Sequence, residues 1–542
     1  MNGAQAVMQT LVASGVEVCF TNPGTSEMYF VAALDEVPRM RAVLGLFEGA
    51  VTGAADGYGR LMGRPAATLL HLGPGLGNGI ANLHNARRAR TPVVNIVGDH
   101  ATTHLRFDPL LASDIESLAR PVSAWFRKST SAEALATDAA QAVAAAYGPP
   151  GGVATLVAPA DLSWTEVEGP ASPVAPRARE TVTSDAVDAT AKALRSEEPA
   201  ALLLGGAAVR EKGLVAARRI SQATGAKLLC ETFPSNLERG GGLPSVERLA
   251  YLAELAIGQL RGLRHLVLVD AAAPVSFFAY PNLPGYLVPD GCELYVLAGA
   301  FDDAPGALEA LAEALGAPGV CSSTGGTGAT AHDGGFGESG TGRDSGREHA
   351  QATQRPERPS GALNPDSAAA AIGALLPEGA IVSDEANTCG VSLPAATAGA
   401  PRHDWLCLTG GAIGQGIPVA TGAAVACPDR KVLSLEADGS AMYTLQALWT
   451  QAREGLDVTT VVFNNSSYAI LEWELSRVGA GTPGPKAKEA LALNRPDLDF
   501  AALARGMGVP ATRATDAEEF TTQLERALAE PGPALVEAIL RA

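Results

Sequence analysis

The chain reads as an α/β protein made of three doubly wound, mainly parallel sheets. Two observations point there. Short aliphatic and β-branched runs alternate with Ala-rich stretches of helical spacing, the pattern of strand–helix–strand units. The composition, 47% hydrophobic with only 5% aromatic, is that of an Ala/Val/Leu/Gly-rich α/β chain rather than a β-sandwich. A length of 542 residues then corresponds to three or four domains, each able to bury its own core.

In the first unit, Val16–Phe20, Ala42–Phe47, Ala67–Leu72 and Val93–Val97 each read as a strand covered on both faces. Between them, residues such as Met8, Leu11, Val12, Ile80 and Leu83 recur at helical spacing. A Pro-rich stretch at Pro170–Pro176 marks a linker. A second unit follows, with strands at Ala200–Leu204, Lys227–Cys230, His265–Val269 and Glu293–Leu297. Gly205-Gly206 follows its first strand, but the G-x-G-x-x-G fingerprint is absent, so a structural role is expected for this unit. A Gly/Ser/Thr-rich tract cannot bury enough apolar surface to fold and is expected to be a flexible linker. The expected division is therefore 1–168, 180–320, a linker at 321–360, and 361–542. His332 and His349 fall in the linker and are poor candidates for chemistry.

The charge excludes partners. Forty Lys+Arg against 58 Asp+Glu leave −18, the opposite of a nucleic-acid footprint. No apolar run reaches the ~18 residues of a membrane span. Met1-Asn2-Gly3-Ala4 lacks the plan of a signal peptide, and the seven cysteines are scattered without a CxxC pair. A cytoplasmic enzyme is expected.

The most informative stretch begins at the strand Val432–Ala437, followed by Asp438-Gly439-Ser440 and a helix from Ala441 to about Glu454 that Gly455 stops. The next strand, Val458–Phe463, ends in Asn464-Asn465. In a right-handed βαβ unit both motifs reach the carboxyl edge of the sheet, where open α/β sheets bind ligands. One carboxylate and one amide oxygen there suit a hard cation that completes its shell with phosphate and water. Gly439 admits a phosphate to the backbone, and Ser440 offers a donor at a helix start.

This pairing resembles the diphosphate/Mg²⁺ motif of thiamine-diphosphate (ThDP) enzymes, in the branch of acetolactate synthase and benzoylformate decarboxylase, and the similarity runs over nearly the whole chain. It implies an N-terminal pyrimidine-binding, a central and a C-terminal diphosphate-binding domain. By this resemblance Mg²⁺ takes Asp438, the Asn465 side chain and the Ser467 main-chain oxygen. Ala437 stands where the family has the first Gly of G-D-G. In Thr409–Gly414, Gly411 accepts from the aminopyrimidine and Ile413 is the apolar wedge between the cofactor's rings. Asn387 and Thr388, after the strand Ala380–Ser383, reach the diphosphate.

In the N-terminal unit, Glu48 follows an apolar strand and starts an Ala/Gly-rich helix, a placement that by itself means only a favourable dipole partner. The resemblance makes it the glutamate that hydrogen-bonds the aminopyrimidine and activates the cofactor. Asn22-Pro23-Gly24-Thr25-Ser26-Glu27 reads as a helix start capped by Thr25 or Ser26. It is similar to the segment whose hydroxyl faces substrate, with Thr25 the match. His71, at the end of a strand and before a Gly-rich run, matches an active-site histidine of benzoylformate decarboxylase and would relay protons. His84, His100 and His104 are read as surface or core residues.

The reaction signals conflict. The second histidine of benzoylformate decarboxylase is matched by Ala279, and Leu471 stands where pyruvate decarboxylase-like enzymes place a protonating glutamate. Glu472-Trp473-Glu474 resembles the Gln-Trp-Glu of acetolactate synthases, which puts Leu471, Trp473 and Glu474 at the substrate pocket. Against that family, Gly49 replaces its usual glutamine, and the Arg-Phe-Asp-Asp-Arg segment of its FAD-binding members is missing, so FAD is not expected. The resemblance implies a decarboxylase/carboligase that makes a 2-hydroxyketone from pyruvate. The alternatives are an aldehyde-releasing decarboxylase of an aromatic or branched 2-keto acid, and a non-catalytic ThDP-binding partner subunit. The family builds its sites between two chains, which implies a homodimer or dimer of dimers.

Overall fold

In the computed structural model the described residues are 1–318 and 354–540. Most of the expected linker, with His332 and His349, lies outside them. Residues 354–360 run along the C-terminal unit, where Arg355 donates to the carbonyls of Gly373 and Leu376.

Three sheets carry the chain. The first contains β1 (Val18–Asn22), β2 (Arg41–Leu44), β3 (Ala66–Leu70), β4 (Val93–Asp99), β5 (Trp125–Lys128) and β6 (Val153–Pro159), in the order β2-β1-β3-β4-β6-β5. The second contains β7 (Ala200–Leu204), β8 (Lys227–Cys230), β10 (Glu247–Arg248), β11 (His265–Val269) and β12 (Glu293–Ala298), ordered β10-β8-β7-β11-β12. All pairs in both sheets are parallel. The third contains β13 (Ala380–Glu385), β14 (His403–Cys407), β15 (Val432–Ala437), β16 (Val458–Asn464), β17 (Ala511–Ala514) and β18 (Ala534–Ile539). Its remaining strand is β9 (Leu237–Arg239), which departs from the central segment and pairs antiparallel with β14, giving the order β17-β18-β16-β15-β13-β14-β9. Among the described residues no helix is long and apolar enough to cross a membrane.

Two local readings are corrected. The single helix expected from Ala441 to Glu454 starts earlier, at Asp438, and is divided into Asp438–Thr444 and Ala447–Glu454. At the break Leu448 and Trp449 bond back three residues, to Leu445 and Gln446, a 3₁₀ tightening of the ladder. Neither Thr25 nor Ser26 caps a helix. Thr25–Glu27 is a 3₁₀ turn, and Glu27 reaches back to the Gly24 N–H at 2.8 Å, spending its own side chain on the cap.

The N- and C-terminal units meet where helix Glu48–Met62 crosses helix Gly416–Ala426. Their backbones touch because glycines remove the side chains between them. A Cβ at Gly422 would lie 1.8 Å from the Ala54 carbonyl, one at Gly57 2.1 Å from that of Val419, and one at Gly53 2.5 Å from Pro418. One apolar cluster runs through this crossing, from Leu70 and Val97 to Ile381 and Val432. Arg60, fully buried with Asp56, closes the junction. Its guanidinium also reaches the Cys407 carbonyl (2.8 Å) and Thr409 Oγ1 (2.9 Å).

The Gly205-Gly206 turn after β7 is closed by the chain itself. Asp270 accepts the Ala207 N–H at 3.2 Å and pairs with Arg90 of the N-terminal unit.

Overpacking a helix contact of this kind costs about 1–3 kcal/mol. Gly422→Ala, which meets backbone rather than a flexible side chain, is expected at the upper end of that range or beyond, measured by urea unfolding. The exposed left-handed C-cap Gly455 should cost less than Gly422 when replaced by Asn, which tolerates that conformation.

Candidate active site

Parallel strands β13, β15 and β16 deliver three loops to one edge, with Glu385 opposite Glu436 and Ala437 opposite Phe463 in register. Asp438, just beyond β15, is 2% exposed, and its two oxygens accept the N–H groups of Gly439 and Ser466, each at 2.7 Å. Burial pushes its carboxyl above the usual carboxylate range, and the surrounding backbone N–H groups oppose that. Asn465 lies just beyond β16, its oxygen accepting from the Ser467 N–H (3.0 Å) and its amide facing Cys389 Sγ (3.6 Å). Asn387 donates to Ser440 Oγ at 2.9 Å, and Thr388 shares its 3₁₀ turn. The fold thus gathers Asn387, Thr388, Asp438, Ser440, Asn465 and Ser467 at one sheet edge. Tyr468's ring covers Gly439, where a Cβ would lie 2.3 Å from it.

The loop Thr409–Gly414 lies beside this edge. Gly411 and Gly414 take left-handed backbone angles (φ 75° and 90°) that L side chains rarely adopt. Glu385 holds the end of the loop from below, accepting the N–H groups of Gly414 (2.7 Å) and Gly416 (2.6 Å). Glu436 is buried beside it with a Ser434 hydroxyl at 2.6 Å. Two carboxyls in this dry space cannot both ionise. Burial raises Glu385 to about 7. Burial and the neighbouring Glu385 charge push the Glu436 carboxyl well above the usual carboxylate range as well.

The N-terminal unit closes over the loop with one helix, Leu72–Ala89. Asn78, Asn82 and Asn85 lie along it. Asn78 donates to Glu48 Oε2 (3.0 Å). Asn82 donates to both the Gly49 carbonyl (2.8 Å) and the Gly414 carbonyl (3.1 Å). Asn85 donates to the Ala412 carbonyl (2.7 Å) and accepts that residue's N–H (3.2 Å). His84 faces the Gly410 carbonyl at 3.1 Å. Glu48 is 7% exposed at the first position of its helix. His71 stands one residue beyond β3 with Nδ1 2.7 Å from Oε2 of Glu27, which belongs to the same 3₁₀ turn as Thr25 and Ser26. No hydrogen bond among the described residues joins Glu48 or His71 to Asp438 or Asn465.

Ile413 is half-buried. Leu471 and Trp473 are close to half exposed on helix Ala469–Arg477, whereas Glu474 turns inward toward Tyr251 and Tyr280 of the central unit. Gly411 meets that unit too: a Cβ there would lie 2.6 Å from the Phe277 ring.

Sequence reasoning missed Glu27, Glu385, Glu436 and the three asparagines. The acids carry no local signature, but asparagines at 78, 82 and 85 do share one helix face, and that spacing was readable.

The Glu385/Glu436 pair makes stability depend on pH. Its folded carboxyls hold a proton that the unfolded chain releases in the ordinary carboxylate range. The stability this contributes is fully present below that range and is lost as pH rises through about 7. Glu436→Gln, which keeps a donor toward Glu385 without the proton, should flatten the fall in Tm between about pH 5 and pH 8 in thermal melts.

Comparisons with known proteins place these features. Residues 1–118 match the model "Thiamine pyrophosphate enzyme, N-terminal TPP binding domain", and residues 398–538 match "Thiamine pyrophosphate enzyme, C-terminal TPP binding domain". The "Putative acetolactate synthase large subunit IlvX" of Mycobacterium tuberculosis is 57% identical, over 100% of this chain and 99% of its own. Benzoylformate decarboxylase of Pseudomonas aeruginosa is 29% identical, over 98% and 97%. Among solved structures, the thiamine diphosphate-dependent 4-hydroxybenzoylformate decarboxylase of Rhodococcus jostii RHA1 superposes with a TM-score of 0.81 at 25% identity, covering 100% and 99% of the two chains. The three sheets, the two matched domains and the full-length relatives agree: the chain belongs to the thiamine-diphosphate-dependent enzymes, alongside acetolactate synthase large subunits and benzoylformate decarboxylases.

Proposed function

We propose that the protein is a ThDP- and Mg²⁺-dependent 2-keto acid decarboxylase/carboligase of the acetolactate synthase type. It forms a 2-hydroxyketone from pyruvate, in the cytoplasm, as a homodimer or dimer of dimers. The observation that carries this is the Asn82 amide, which ties the carbonyl beside Glu48 to the carbonyl beside Ile413. Within one chain, the helix that starts at Glu48 and the loop that carries Gly411 and Ile413 are thereby braced against each other, each for the site it builds with a partner chain.

The residues present fit the cofactor and its metal. Asp438, the Asn465 side chain and the Ser467 carbonyl form an all-oxygen set suited to Mg²⁺. The Ser467 carbonyl accepts no hydrogen bond among the described residues and is available as a ligand. Ser440, Asn387 and Thr388 provide donors for the diphosphate, and Gly411 and Ile413 hold the rings. When bound, ThDP supplies a nucleophilic carbon that adds to the keto group and takes up the electron pair released with CO₂. The chain contributes the proton handling. Glu48 keeps Oε1 for exchange with the aminopyrimidine while Asn78 occupies Oε2. His71 presents Nε2, and Thr25 and Ser26 line the substrate side.

Specific observations favour aldehyde release from an aromatic 2-keto acid as a second reading. His71 is paired with a buried carboxylate, as a proton relay requires. Phe233, Tyr251 and Phe277 form an aromatic wall with ring centroids 5.2–6.3 Å apart, abutting Gly411.

Association in solution is supported by the exposure of Leu46, beside Glu48, and of Met442 and Tyr443, beside Asp438. Trp473 adds a third such surface. Sedimentation in the presence of cofactor should give an active dimer or tetramer, and an active monomer would overturn that part of the reading.

Incubation with ThDP, Mg²⁺ and pyruvate, with separate assays for acetolactate, acetoin and acetaldehyde, tests the reaction. Acetolactate or acetoin is expected. Acetaldehyde alone would defeat carboligation, benzaldehyde from benzoylformate would favour the second reading, and no CO₂ from any 2-keto acid would leave a cofactor-binding partner subunit. Glu48→Gln should lower turnover at least ~100-fold, with ThDP still binding.

A further inference from the structure

Glu27, the carboxylate paired with His71, is the most completely buried one near the N-terminal site, at 0% exposure. Its Oε2 accepts the Gly24 N–H at 2.8 Å and lies 2.7 Å from His71 Nδ1. Its Oε1 has no hydrogen-bond partner. Two glycines make room for this pair. A Cβ at Gly98 would lie 1.7 Å from Glu27 Oε1, and a Cβ at Gly24 would lie 2.3 Å from the His71 ring. An unpartnered buried carboxylate oxygen is costly. Burial accordingly pushes the Glu27 carboxyl above its ordinary range, against the opposing pull of Gly24 and His71.

We propose that Glu27 is a positioning residue for His71: it holds the ring with Nδ1–H toward itself and Nε2 toward substrate, and so sets the balance between aldehyde release and carbon–carbon bond formation. The proposal rests on the ThDP reading above. A carboxylate on one imidazole nitrogen fixes the tautomer and favours a positive ring when the other nitrogen gains a proton. Once protonated there from solvent, Nε2 would be the donor to the carbon that has lost CO₂. The ring then keeps its Nδ1 proton toward Glu27, and solvent water returns a proton to Nε2. No redox partner is needed. The other ionisable groups around the pair are Glu48 and Asp99. Glu48 Oε1 and His71 Cβ flank Gly75, at 3.0 and 3.4 Å from where its Cβ would lie. Asp99, next to Gly98, is neutralised by Lys128 at 2.6 Å.

Two replacements separate the contributions. Glu27→Gln keeps an acceptor and removes the charge, and Glu27→Met keeps the approximate volume and removes both. In protein carrying ¹⁵N-labelled histidine, the ring signal missing from His71→Ala identifies His71. It should report the Nδ1–H tautomer in the parent and in Glu27→Gln, and lose that preference in Glu27→Met. With 2-keto acid, ThDP and Mg²⁺, kcat for aldehyde release should fall on the order of 10-fold in Glu27→Gln and further in Glu27→Met. KM should change little, and the hydroxyketone-to-aldehyde ratio should rise. Because burial disfavours a charge at this position, Glu27→Gln should raise Tm. The raised folded value means that this gain grows as pH climbs above the carboxylate range. ThDP binding, followed by fluorescence quenching, should stay as in the parent.

A lowered Tm with unchanged tautomer, kcat and product ratio would assign Glu27 to the cap alone and overturn the proposal. If His71→Ala leaves the product ratio unchanged, the His71 reading fails and takes the inference with it. If His71→Ala shifts the ratio and neither Glu27 variant does, only the inference fails.

Discussion

The crossing of helices Glu48–Met62 and Gly416–Ala426 is the contact on which the candidate site depends. One helix begins at Glu48 and the other begins where the Thr409–Gly414 loop ends, so their separation fixes how each chain presents its acid–base residue and its loop. Gly57 and Gly422 bring that separation down to backbone contact. Dispersion and apolar burial draw the surfaces together, while carbonyls and Cα atoms set a hard limit. A chain that must present an acid–base group and a ring-binding loop in fixed register gains from such a stop, because backbone yields far less than interdigitated side chains.

A tight crossing leaves little water, and the polar groups around it are satisfied by the protein. Asn82 and Asn85 supply the amides, and Arg60 with Asp56 supplies a charge pair. Below the loop the same dryness forces Glu385 and Glu436 to share a proton. These groups cost stability one by one and are retained as a connected set. Removing a single member would leave a buried charge or donor without a partner. The polar network thus does for direction what the glycines do for distance: it aims the loop carbonyls while the helix crossing holds them in place.

How much of this was legible in the sequence follows from the same physics. Strands covered on both faces have continuous apolar sequences, and β7, β8, β11 and β15 have the bounds read from the chain. Three of the edge strands carry no such run. Trp125–Lys128 and Ala511–Ala514 mix charged and apolar residues, and Leu237–Arg239 is a strand only because β14 offers it an edge. Val153–Pro159 is different, a fully buried apolar run whose signal was present and unused. The ends of β15 and β16 were readable because a βαβ unit fixes where they emerge. Glu27, Glu385 and Glu436 were not, since an acidic residue in sequence looks solvated, and only the tertiary fold removes the water. The cap at Gly24 was misassigned for a related reason. Thr25 and Ser26 have the usual capping chemistry, but the turn starts one residue earlier, with Gly24 at the cap position and Glu27 reaching back to its N–H.

The central unit shows how an available ligand position can be closed by the protein's own charges. A Gly-Gly turn at the carboxyl end of a parallel strand ordinarily suits a phosphate. Here the Ala207 N–H is spent on Asp270, and carboxylates stand where side chains at the two glycines would be. A Cβ at Gly205 would lie 2.7 Å from Glu231 Oε2, and one at Gly206 2.0 Å from Asp270 Oδ2. Burial keeps Glu231 near neutrality, raised to about 7, and Asp270 is balanced by Arg90. A second anion at this turn would meet both carboxylates. The exclusion has a structural return: through Arg90 the turn braces the central unit against the N-terminal one. A cavity of about 920 Å³ remains between the units and extends past Phe233 and Phe277 to Gly410. Gly206, Glu231 and Asp270 line one end of that cavity, and at the other its aromatic wall faces the candidate site.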